Sequence, residues 1–495
     1  MMFYKSTRSN EKATATAAEV IKQGLAEDGG LFVPESIPTL TQDEIKALCD
    51  ASYPVRAATI LSKFLTDYTY EELLADCEEA YAETSFVGGA APLVNIHDQF
   101  ESLELWHGPT AAFKDMALQI MPRLLSRALK KTGEERTALI LVATSGDTGK
   151  AALEGYKDVP GIKIMVFYPV DGVSRVQKLQ MATQTGSNVN VCAIRGNFDD
   201  AQNGVKVIFG DKEMAQKLDE KGYFFSSANS INWGRLAPQI VYYVSAYCDL
   251  LNSGKCKLGD SFNVCVPTGN FGNIFAAYLA KRMGLPIGHM VCASNSNNIL
   301  TDFLRTGTYD RNRNFYLTMS PSMDILISSN LERLLYFTAG SEKTAAYMKS
   351  LKETGCYTVD REILDAIRTN FSGYYTDETD TAKTIHDTFE KYGYLADTHT
   401  AVAIHAAEAY ANETGDSRPM VIDSTASPYK FANNVYRAVS GKEAESELEA
   451  LEALSKETKT EIPYPLACLA SRRVRFEKTV EREDMARMVL EYLDN

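Results

Sequence analysis

The chain has 495 residues, of which 45% are hydrophobic and 23% charged, and its formal net charge is −14. This length is too great for one hydrophobic core, so we expect two to four domains, and the composition excludes an intrinsically disordered chain. So acidic a surface argues against nucleic acid and anionic membranes as partners, and any anionic substrate needs a local basic site.

The predicted elements begin with helical spacing over 15–26 and 43–52, and residues 29–34 (GGLFVP) are typical of a turn into a short strand. From residue 137 onward, continuous apolar runs alternate with helical stretches. The runs cover 137–143, 162–169, 188–194 and 261–267, with a helical stretch over 174–185. This alternation predicts parallel strands with right-handed crossovers, in doubly wound α/β sheets.

The last part of the chain has a different pattern. Residues 440–459 are rich in Glu, Lys and Ser, with leucines at helical spacing, which predicts a solvated helix and linker before a last helix near 481–493. Nine cysteines are spread singly, without a CxxC pair or a Cys/His cluster, so we expect reduced thiols and no metal site. The N-terminus lacks the apolar core of a signal peptide, and no apolar stretch reaches the ~20 residues of a membrane span. These features predict a cytoplasmic protein.

Three junctions between a strand and a helix carry the chemical signals, because ligands of an open parallel sheet bind where loops leave the carboxyl ends of its strands. The first junction is 266–274 (VPTGNFGNI). Gly269 and Gly272 let the backbone approach an anion, and the N–H groups at the start of the following helix point toward it. The pattern indicates a phosphate cradle; a tight turn that binds nothing is the alternative.

The second junction is 143–149 (ATSGDTG), whose hydroxyls are suited to a carboxylate. Its alternative interpretation is that Ser145 or Asp147 only caps the next helix.

The third junction is 106–117 (WHGPTAAFKDMA), where Lys114 stands among apolar residues at the entry to an amphipathic helix. An amine in such surroundings loses its proton readily and becomes a nucleophile able to form a Schiff base. A lysine in this position usually extends to solvent instead. Together, however, a nucleophilic lysine and a phosphate cradle favour pyridoxal phosphate as the cofactor.

The motif HGPTAAFKD (107–115) closely resembles the cofactor-lysine motif of threonine synthases, in particular the longer bacterial and fungal subgroup. Other segments resemble that family in the same order, from about residue 4 to residue 435. They are 28–34 (DGGLFVP), 144–149 (TSGDTG), 196–200 (GNFDD), 229–235 (NSINWGR), 267–273 (PTGNFGN), 320–325 (SPSMDI) and 398–402 (THTAV). Cysteine synthases and threonine dehydratases share the fold and the Gly-rich loop, but not SPSMDI or this form of the lysine motif.

The resemblance implies a fold type II pyridoxal-phosphate enzyme, similar to the tryptophan synthase β subunit, with an extra N-terminal domain. The expected domains are 1–95 (N-terminal), 96–114 with 231–440 (large, cofactor-binding), 115–230 (small) and 441–495 (a C-terminal helical extension). A monomer and a homodimer both stay open.

The resemblance also implies the roles of the site residues. Lys114 is the Schiff-base lysine and the catalytic residue, and Thr425 faces the pyridine nitrogen of the cofactor. Asp147 lies near the 3′ oxygen. The cofactor phosphate is held by Gly269, Asn270, Phe271, Gly272 and Asn273. The substrate carboxylate is bound by Ser145, Gly146 and Thr148, and the substrate phosphate by Asn229, Ser230 and Arg235. Many relatives have His where this chain has Ser427, which affects the contacts around the pyridine ring.

The implied reaction is the conversion of O-phospho-L-homoserine and water into L-threonine and phosphate, by γ-elimination and β-addition, which is the last step of threonine biosynthesis. The alternatives are a threonine dehydratase or cysteine synthase-like enzyme of the same cofactor group, and a catalytically silent relative that only binds a ligand. Loss of the lysine would mark a silent relative, and Lys114 is present within its complete motif.

Overall fold

The N-terminal region is mainly helical in the computed structural model, which describes residues 1–144, 146–171 and 173–494, without the side chain of Asp199. Its elements are β1 (Tyr4–Ser6), α1 (Ala17–Gln23), β2 (Phe32–Pro34), α2 (Gln42–Cys49), α3 (Tyr53–Phe64) and α4 (Tyr70–Ala80). Thr16, Thr41 and Thr69 begin α1, α2 and α4 with capping boxes, each of which satisfies an otherwise unpaired amide of the first turn. The predicted helices near 15–26 and 43–52 and the strand after residue 29 are confirmed.

A five-stranded parallel sheet forms the centre of the small unit. Its elements in the chain are α5 (Asp115–Leu118), α6 (Met121–Lys131), β5 (Thr137–Ala143), α7 (Asp147–Tyr156), β6 (Ile162–Pro169), α8 (Arg175–Ala182), β7 (Val189–Ile194), α9 (Phe198–Gly210), α10 (Lys212–Glu220) and β8 (Tyr223–Ser226). The strand order is β15-β7-β6-β5-β8, where β15 (Thr479–Val480) comes from the C-terminal region. Apolar residues from both faces of the sheet are buried, as expected when helices cover a parallel sheet on both sides.

A six-stranded sheet forms the centre of the large unit, in the order β13-β10-β9-β14-β4-β3. Its strands are β3 (Leu93–His97), β4 (Phe100–Glu104), β9 (Phe262–Pro267), β10 (Ile287–Ser294), β13 (Phe371–Tyr375) and β14 (Met420–Ser424). The edge strand β3 pairs antiparallel with β4, and the other neighbours are parallel.

Helices and a short hairpin surround this second sheet. They are α11 (Trp233–Leu236), α12 (Pro238–Asn252), α13 (Gly272–Met283), α14 (Ile299–Thr306), α15 (Leu331–Thr354), α16 (Arg361–Arg368), α17 (Glu378–Tyr392), α18 (Thr398–Thr414) and α19 (Ala432–Ser440), with β11 (Thr308–Asp310) and β12 (Cys356–Thr358) as the hairpin. The helix α12 is buried along nearly its whole length and packs against α2, α3 and α13, so it joins the N-terminal helices to the sheet.

The C-terminal region adds α20 (Glu447–Thr458), α21 (Tyr464–Ala467), β15 and α22 (Met485–Asp494). The predicted helices near 440–459 and 481–493 are confirmed, although Leu451 and Leu454 are buried rather than solvated. β15 joins the small sheet, so the C-terminal region, expected to be a helical extension, also contributes a strand.

The strand β3 crosses the domain boundary predicted at residue 95. The domain limits stay predictions. No helix in the described residues is long and apolar enough to cross a membrane.

The predicted doubly wound α/β architecture is confirmed, since all four predicted apolar runs are parallel strands with helical crossovers. The carboxyl ends of β4, β9 and β14 open toward one region of the molecule. The loops that leave those ends contain Lys114, Gly269 and Thr425.

Candidate active site

Lys114 immediately precedes α5, on the loop that leaves β4. The buried carboxylate of Asp115 accepts hydrogen bonds from the amide (2.8 Å) and the hydroxyl (2.7 Å) of Thr110, which folds the loop back on itself. The amide of Phe113 donates to the carbonyl of Thr425 (2.8 Å). Lys114 is buried, and this burial lowers the pKa of its amine to about 8. The neutral form, which a nucleophilic amine requires, is therefore more populated near neutral pH than in an exposed lysine.

Asp147 is the acidic centre of the site. Its carboxylate lies 3.6 Å from Nζ of Lys114 and 3.0 Å from Nζ of Lys430, and it accepts a hydrogen bond from Nε2 of Gln177 (2.8 Å). Burial opposes ionisation of Asp147, but the charges of Lys430 and Lys114 outweigh it and hold its pKa below the usual range. Asp147 is the first residue of α7 and its side chain caps no helix amide, so the capping interpretation fails for it.

A second buried network reaches Lys114 through Ser322. The Ser322 hydroxyl accepts from Nζ of Lys114 (3.3 Å) and donates to Asp147 (3.3 Å). The Ser322 amide donates to Nε2 of His399 (3.1 Å), and Nδ1 of His399 lies 2.9 Å from the Asp397 carboxylate. Because Nε2 accepts, Nδ1 carries the proton and donates to Asp397, so His399 is a neutral, fixed imidazole.

The predicted phosphate loop lies between β9 and α13. Phe271 is in the left-handed region (φ 63°) and is fully buried, and α13 begins at Gly272. The first turn of a helix leaves its amide N–H groups without intrahelical acceptors, which makes it a suitable anion cradle. A Cβ on Gly269 would lie 2.8 Å from the Ser322 carbonyl oxygen, so this position requires glycine. The cradle therefore lies directly against the loop that contacts Lys114.

The three residues expected to bind the substrate phosphate lie beside this cradle. A Cβ on Gly272 would lie 3.7 Å from Cβ of Ser230, and Asn330 donates to the Ser230 hydroxyl and to the Asn270 carbonyl (both 3.1 Å). The buried guanidinium of Arg235 donates to the Ala228 carbonyl (2.8 Å), and no carboxylate in the described residues pairs with it. Burial lowers the pKa of Arg235 to about 10. Asn229 is exposed at the edge of this group.

Thr425 follows β14 and is buried. Its backbone holds the lysine loop, through Phe113, and Ala426 forms a bridge with Ala112. Its hydroxyl has no hydrogen-bond partner among the described residues. The Ser427 hydroxyl accepts from the amide of Tyr429 (3.3 Å) and so caps the short 3-10 turn 428–431. Ser427 thus has a structural task at the start of that turn.

Most sequence-predicted site residues come together around Lys114. Gly146 caps α7 with φ 139°, and Thr148 lies half-buried in the first turn of that helix, while Ser145 lies outside the described residues. Sequence reasoning missed Lys430, Gln177 and Asn330. Ser322 and His399 lie in the motifs 320–325 and 398–402, which the sequence analysis identified only by their resemblance to the family. Those two motifs are the signal from which both residues could have been predicted.

The described residues fit pyridoxal phosphate. The buried Lys114 offers an amine of lowered pKa, the N-terminus of α13 offers amides to a phosphate, and the Thr425 hydroxyl is available to a ring nitrogen. The site therefore offers an amine for the Schiff base, amides for the phosphate and a hydroxyl for the ring nitrogen of this cofactor.

Models of three known families match successive parts of the chain. The model described as "Threonine synthase N terminus" matches residues 3–81, "Pyridoxal-phosphate dependent enzyme" matches 102–424, and "Threonine synthase, C-terminal" matches 400–487. The second match covers more than half of the chain and includes Lys114, Asp147 and the phosphate loop. The fold and site thus define the class: a fold type II, pyridoxal-phosphate dependent enzyme.

Solved structures are similar over the whole chain. The pyridoxal-phosphate-bound threonine synthase from Brucella melitensis is 37% identical, with a TM-score of 0.88 and coverage of 100% of this chain and 99% of that one. The threonine synthase from yeast is 34% identical, with a TM-score of 0.89 and coverage of 99% of both. Threonine synthase from Pseudomonas aeruginosa is 38% identical over 443 residues, which are 88% of this chain and 90% of that protein. The chain belongs to the threonine synthase family.

The human protein "Threonine synthase-like 1" is 40% identical over 438 residues, and this chain spans 58% of the length of that relative. The comparisons confirm the predicted family, the fold type II class and the cofactor.

Proposed function

We propose that this protein is a threonine synthase, which converts O-phospho-L-homoserine and water into L-threonine and phosphate in the cytoplasm. The observation that carries the proposal is the buried guanidinium of Arg235, without a carboxylate partner in the described residues and close enough to Lys114 to lower its pKa. A dianionic leaving group needs such a cation beside it, particularly in a protein with a net charge of −14.

Lys114 anchors the cofactor and then moves protons at the α and β carbons of the substrate. Pyridoxal phosphate, when bound, supplies the electron sink for negative charge at the substrate. The amine of Lys114 suits both proton removal and proton return, because burial lowers its pKa toward the neutral range. Asp147 and Ser322 hold that amine in place.

The substrate phosphate is assigned to Arg235, Ser230 and Asn229, and the cofactor phosphate to residues 269–273. Asn330 contacts both Ser230 and Asn270 and keeps the two groups in register. The carboxylate of the substrate is assigned to the loop and first turn of α7, including Ser145, Gly146 and Thr148.

His399 is proposed as a positioning residue. It fixes the Ser322 backbone and is itself fixed by Asp397, so the Ser322 hydroxyl stays between Lys114 and Asp147. Side chains held by such a supporting network keep reacting groups within the narrow geometry that catalysis requires.

The decisive experiment incubates the cofactor-loaded enzyme separately with O-phosphohomoserine and with threonine. A threonine synthase releases inorganic phosphate from the first and forms threonine in equal amount. A threonine dehydratase, the alternative with the same cofactor, would instead release ammonia from threonine. Ammonia without phosphate release would exclude the proposed reaction, and release of neither would favour a silent relative.

A further inference from the structure

A cleft of about 1200 Å³ opens where the loop 106–109, the C-terminal end of α7, the segment 183–185 after α8 and the segment 461–475 meet. None of the described residues assigned to the active site lines it. The loop 106–109 lies directly before Thr110 and Lys114, so the cleft and the active site share one loop. This volume is large enough for a ligand well above the size of an amino acid.

The charge of the cleft is opposite to that of the whole protein. Its cationic lining residues are Lys157, Arg472, Arg473 and Arg475, and its acidic ones are Glu154 and Glu461. The charge of Glu154 is already matched by Lys150, whose Nζ lies 2.8 Å away. In the part of the chain that the structure describes, neither Arg472 nor Arg473 pairs with a carboxylate. A local surplus of positive charge in so acidic a protein attracts anions to the cleft.

The arginine segment is held in place rather than left to move freely. Nη1 of Arg475 donates to the carbonyls of Gln184 (2.8 Å) and Gly186 (3.1 Å), and the backbone amides of Arg475 and Phe476 donate to the Ala182 carbonyl. The backbone beside Arg472 and Arg473 is therefore anchored, and their exposed side chains line the cleft. Guanidinium groups placed in this way bind phosphate through paired hydrogen bonds.

Aromatic side chains form another part of the lining. The indole of Trp106 stacks on His107, with ring centroids 4.2 Å apart, and donates to the Ser424 hydroxyl (3.0 Å). His107 is itself fixed by the Val87 carbonyl (3.0 Å) and by Glu104 (2.8 Å). Tyr464, which is 77% exposed, lines the same cleft. The fixed indole of Trp106 and the exposed ring of Tyr464 are both available for contact with a planar ligand group.

We propose that this cleft binds a nucleotide. Arg472, Arg473 and Lys157 take the phosphate groups, and the ring contacts Trp106 and Tyr464. Cations and aromatic rings in one cleft match a ligand that combines phosphate with a planar base, whereas inorganic phosphate would use only the cations.

Calorimetric titration of the cofactor-loaded protein with ADP, pyrophosphate and adenosine at low ionic strength tests the proposal. ADP is expected to bind with one site per chain and more tightly than either of the other two compounds. The double variant Arg472→Gln/Arg473→Gln should weaken ADP binding about ten-fold or more, since charge-assisted hydrogen bonds to phosphate are lost. Arg361→Gln is the matched control, because Arg361 is an exposed arginine that does not line the cleft.

Intrinsic fluorescence gives a second readout that locates the ring. The chain has two tryptophans, and Trp233 is fully buried, so a change in emission on ADP binding should vanish in Trp106→Phe. Absence of saturable ADP binding would overturn the proposal. An unchanged affinity for ADP in the double variant would also overturn the proposal, because ADP would then bind at another site, such as the active site. Equal affinity for pyrophosphate would assign the cleft to polyphosphate anions and exclude the ring contact.

Discussion

The reactivity of Lys114 depends on a balance between burial and the neighbouring charges. Burial lowers the pKa of its amine, Asp147 raises it, and the cations Lys430 and Arg235 lower it again, to about 8. Asp147 and Lys430 form an ion pair, with 3.0 Å between the carboxylate oxygen and Nζ. Neither residue can therefore be changed without affecting the amine of Lys114.

Asp147→Asn should shift the pH dependence of cofactor capture by the cofactor-free protein to lower pH. Capture requires the neutral amine, so its rate rises with pH through the pKa of Lys114. Loss of the carboxylate removes the interaction that stabilises the charged amine, and the midpoint should fall below about 8. Stopped-flow absorbance at a series of pH values measures this midpoint.

The exposed Asp98→Asn is the control for this shift. A midpoint that stays in place or rises in Asp147→Asn would show that Asp147 does not set the protonation of Lys114.

Arg235→Ala should reduce kcat/KM for O-phosphohomoserine while the cofactor content stays the same. Charge-assisted hydrogen bonds to phosphate contribute ~1.5–3 kcal/mol each, which corresponds to roughly a ten- to hundred-fold loss. Steady-state kinetics and cofactor absorbance measure the two quantities. Arg361→Ala, at an exposed site, serves as the control, and equal activity of the Arg235 variant and the parent would remove Arg235 from the site.

The site residues that sequence reasoning found and those it missed differ in a physical way. Lys114 and Gly269 each belong to a short local pattern, in which strand, loop and helix entry follow one another in the chain. Lys430 carries no such pattern, because its role comes from an ion pair with Asp147, far away in the sequence. The pairing of Asn330 with Ser230 and Asn270 is also a tertiary contact.

At the scale of elements, the phosphate loop and the segment 320–330 act as one unit. The Ser328 hydroxyl donates to the Gly269 carbonyl (2.7 Å), and the Asn330 amide donates to the Asn270 carbonyl (3.0 Å). The segment that contacts Lys114 is thus attached to the cradle at two successive residues, Gly269 and Asn270, directly before Phe271. The alternation of strands and helices could be predicted, but this attachment of two loops could not, since loop conformation depends on such long-range contacts.

Gly269→Ala should lower the affinity for pyridoxal phosphate and also disturb the amine of Lys114. The added methyl group would lie 2.8 Å from the Ser322 carbonyl oxygen, which is backbone and can yield only if the segment moves. Movement of Ser322 would lengthen its hydrogen bonds to Lys114 and Asp147. Equilibrium dialysis of the cofactor, together with the pH midpoint of capture, measures both effects.

Gly210→Ala is the matched control, because a Cβ there meets nothing within 4 Å. Unchanged cofactor affinity in Gly269→Ala would mean that the loop does not closely approach the cofactor.

At the scale of the whole molecule, the site lies between two sheets. Thr148 and Gln177 come from the small unit, whereas Thr425 and Lys430 follow strand β14 of the large sheet. Asp147 already bridges the two units through Lys430. A substrate with a carboxylate at one end and a phosphate at the other adds contacts from both sides.

Substrate should therefore close the small unit, about residues 115–230, onto the large one. A ligand shifts a conformational equilibrium when it binds one state better than the other, and a bridging dianion makes more contacts in the closed state. Closure would also exclude bulk water from the reaction. Small-angle scattering and crystal structures with and without a substrate analogue measure the change. Superimposable units in both states would support a rigid cleft and leave the assignment of Lys114 intact.

The pairing of β15 with β7 has a consequence for synthesis of the protein on the ribosome. The residues of β7 at 189–194 emerge long before those of β15 at 479–480, yet the two strands are neighbours in the small sheet. At ribosomal speeds of about 5–20 residues per second, the edge of β7 stays unpaired for roughly 15 to 60 seconds until β15 has been synthesised. During that interval its unpaired backbone groups are open to pairing with other chains. A nascent chain stalled before residue 479 should thus require chaperones more than one stalled after the strand has emerged.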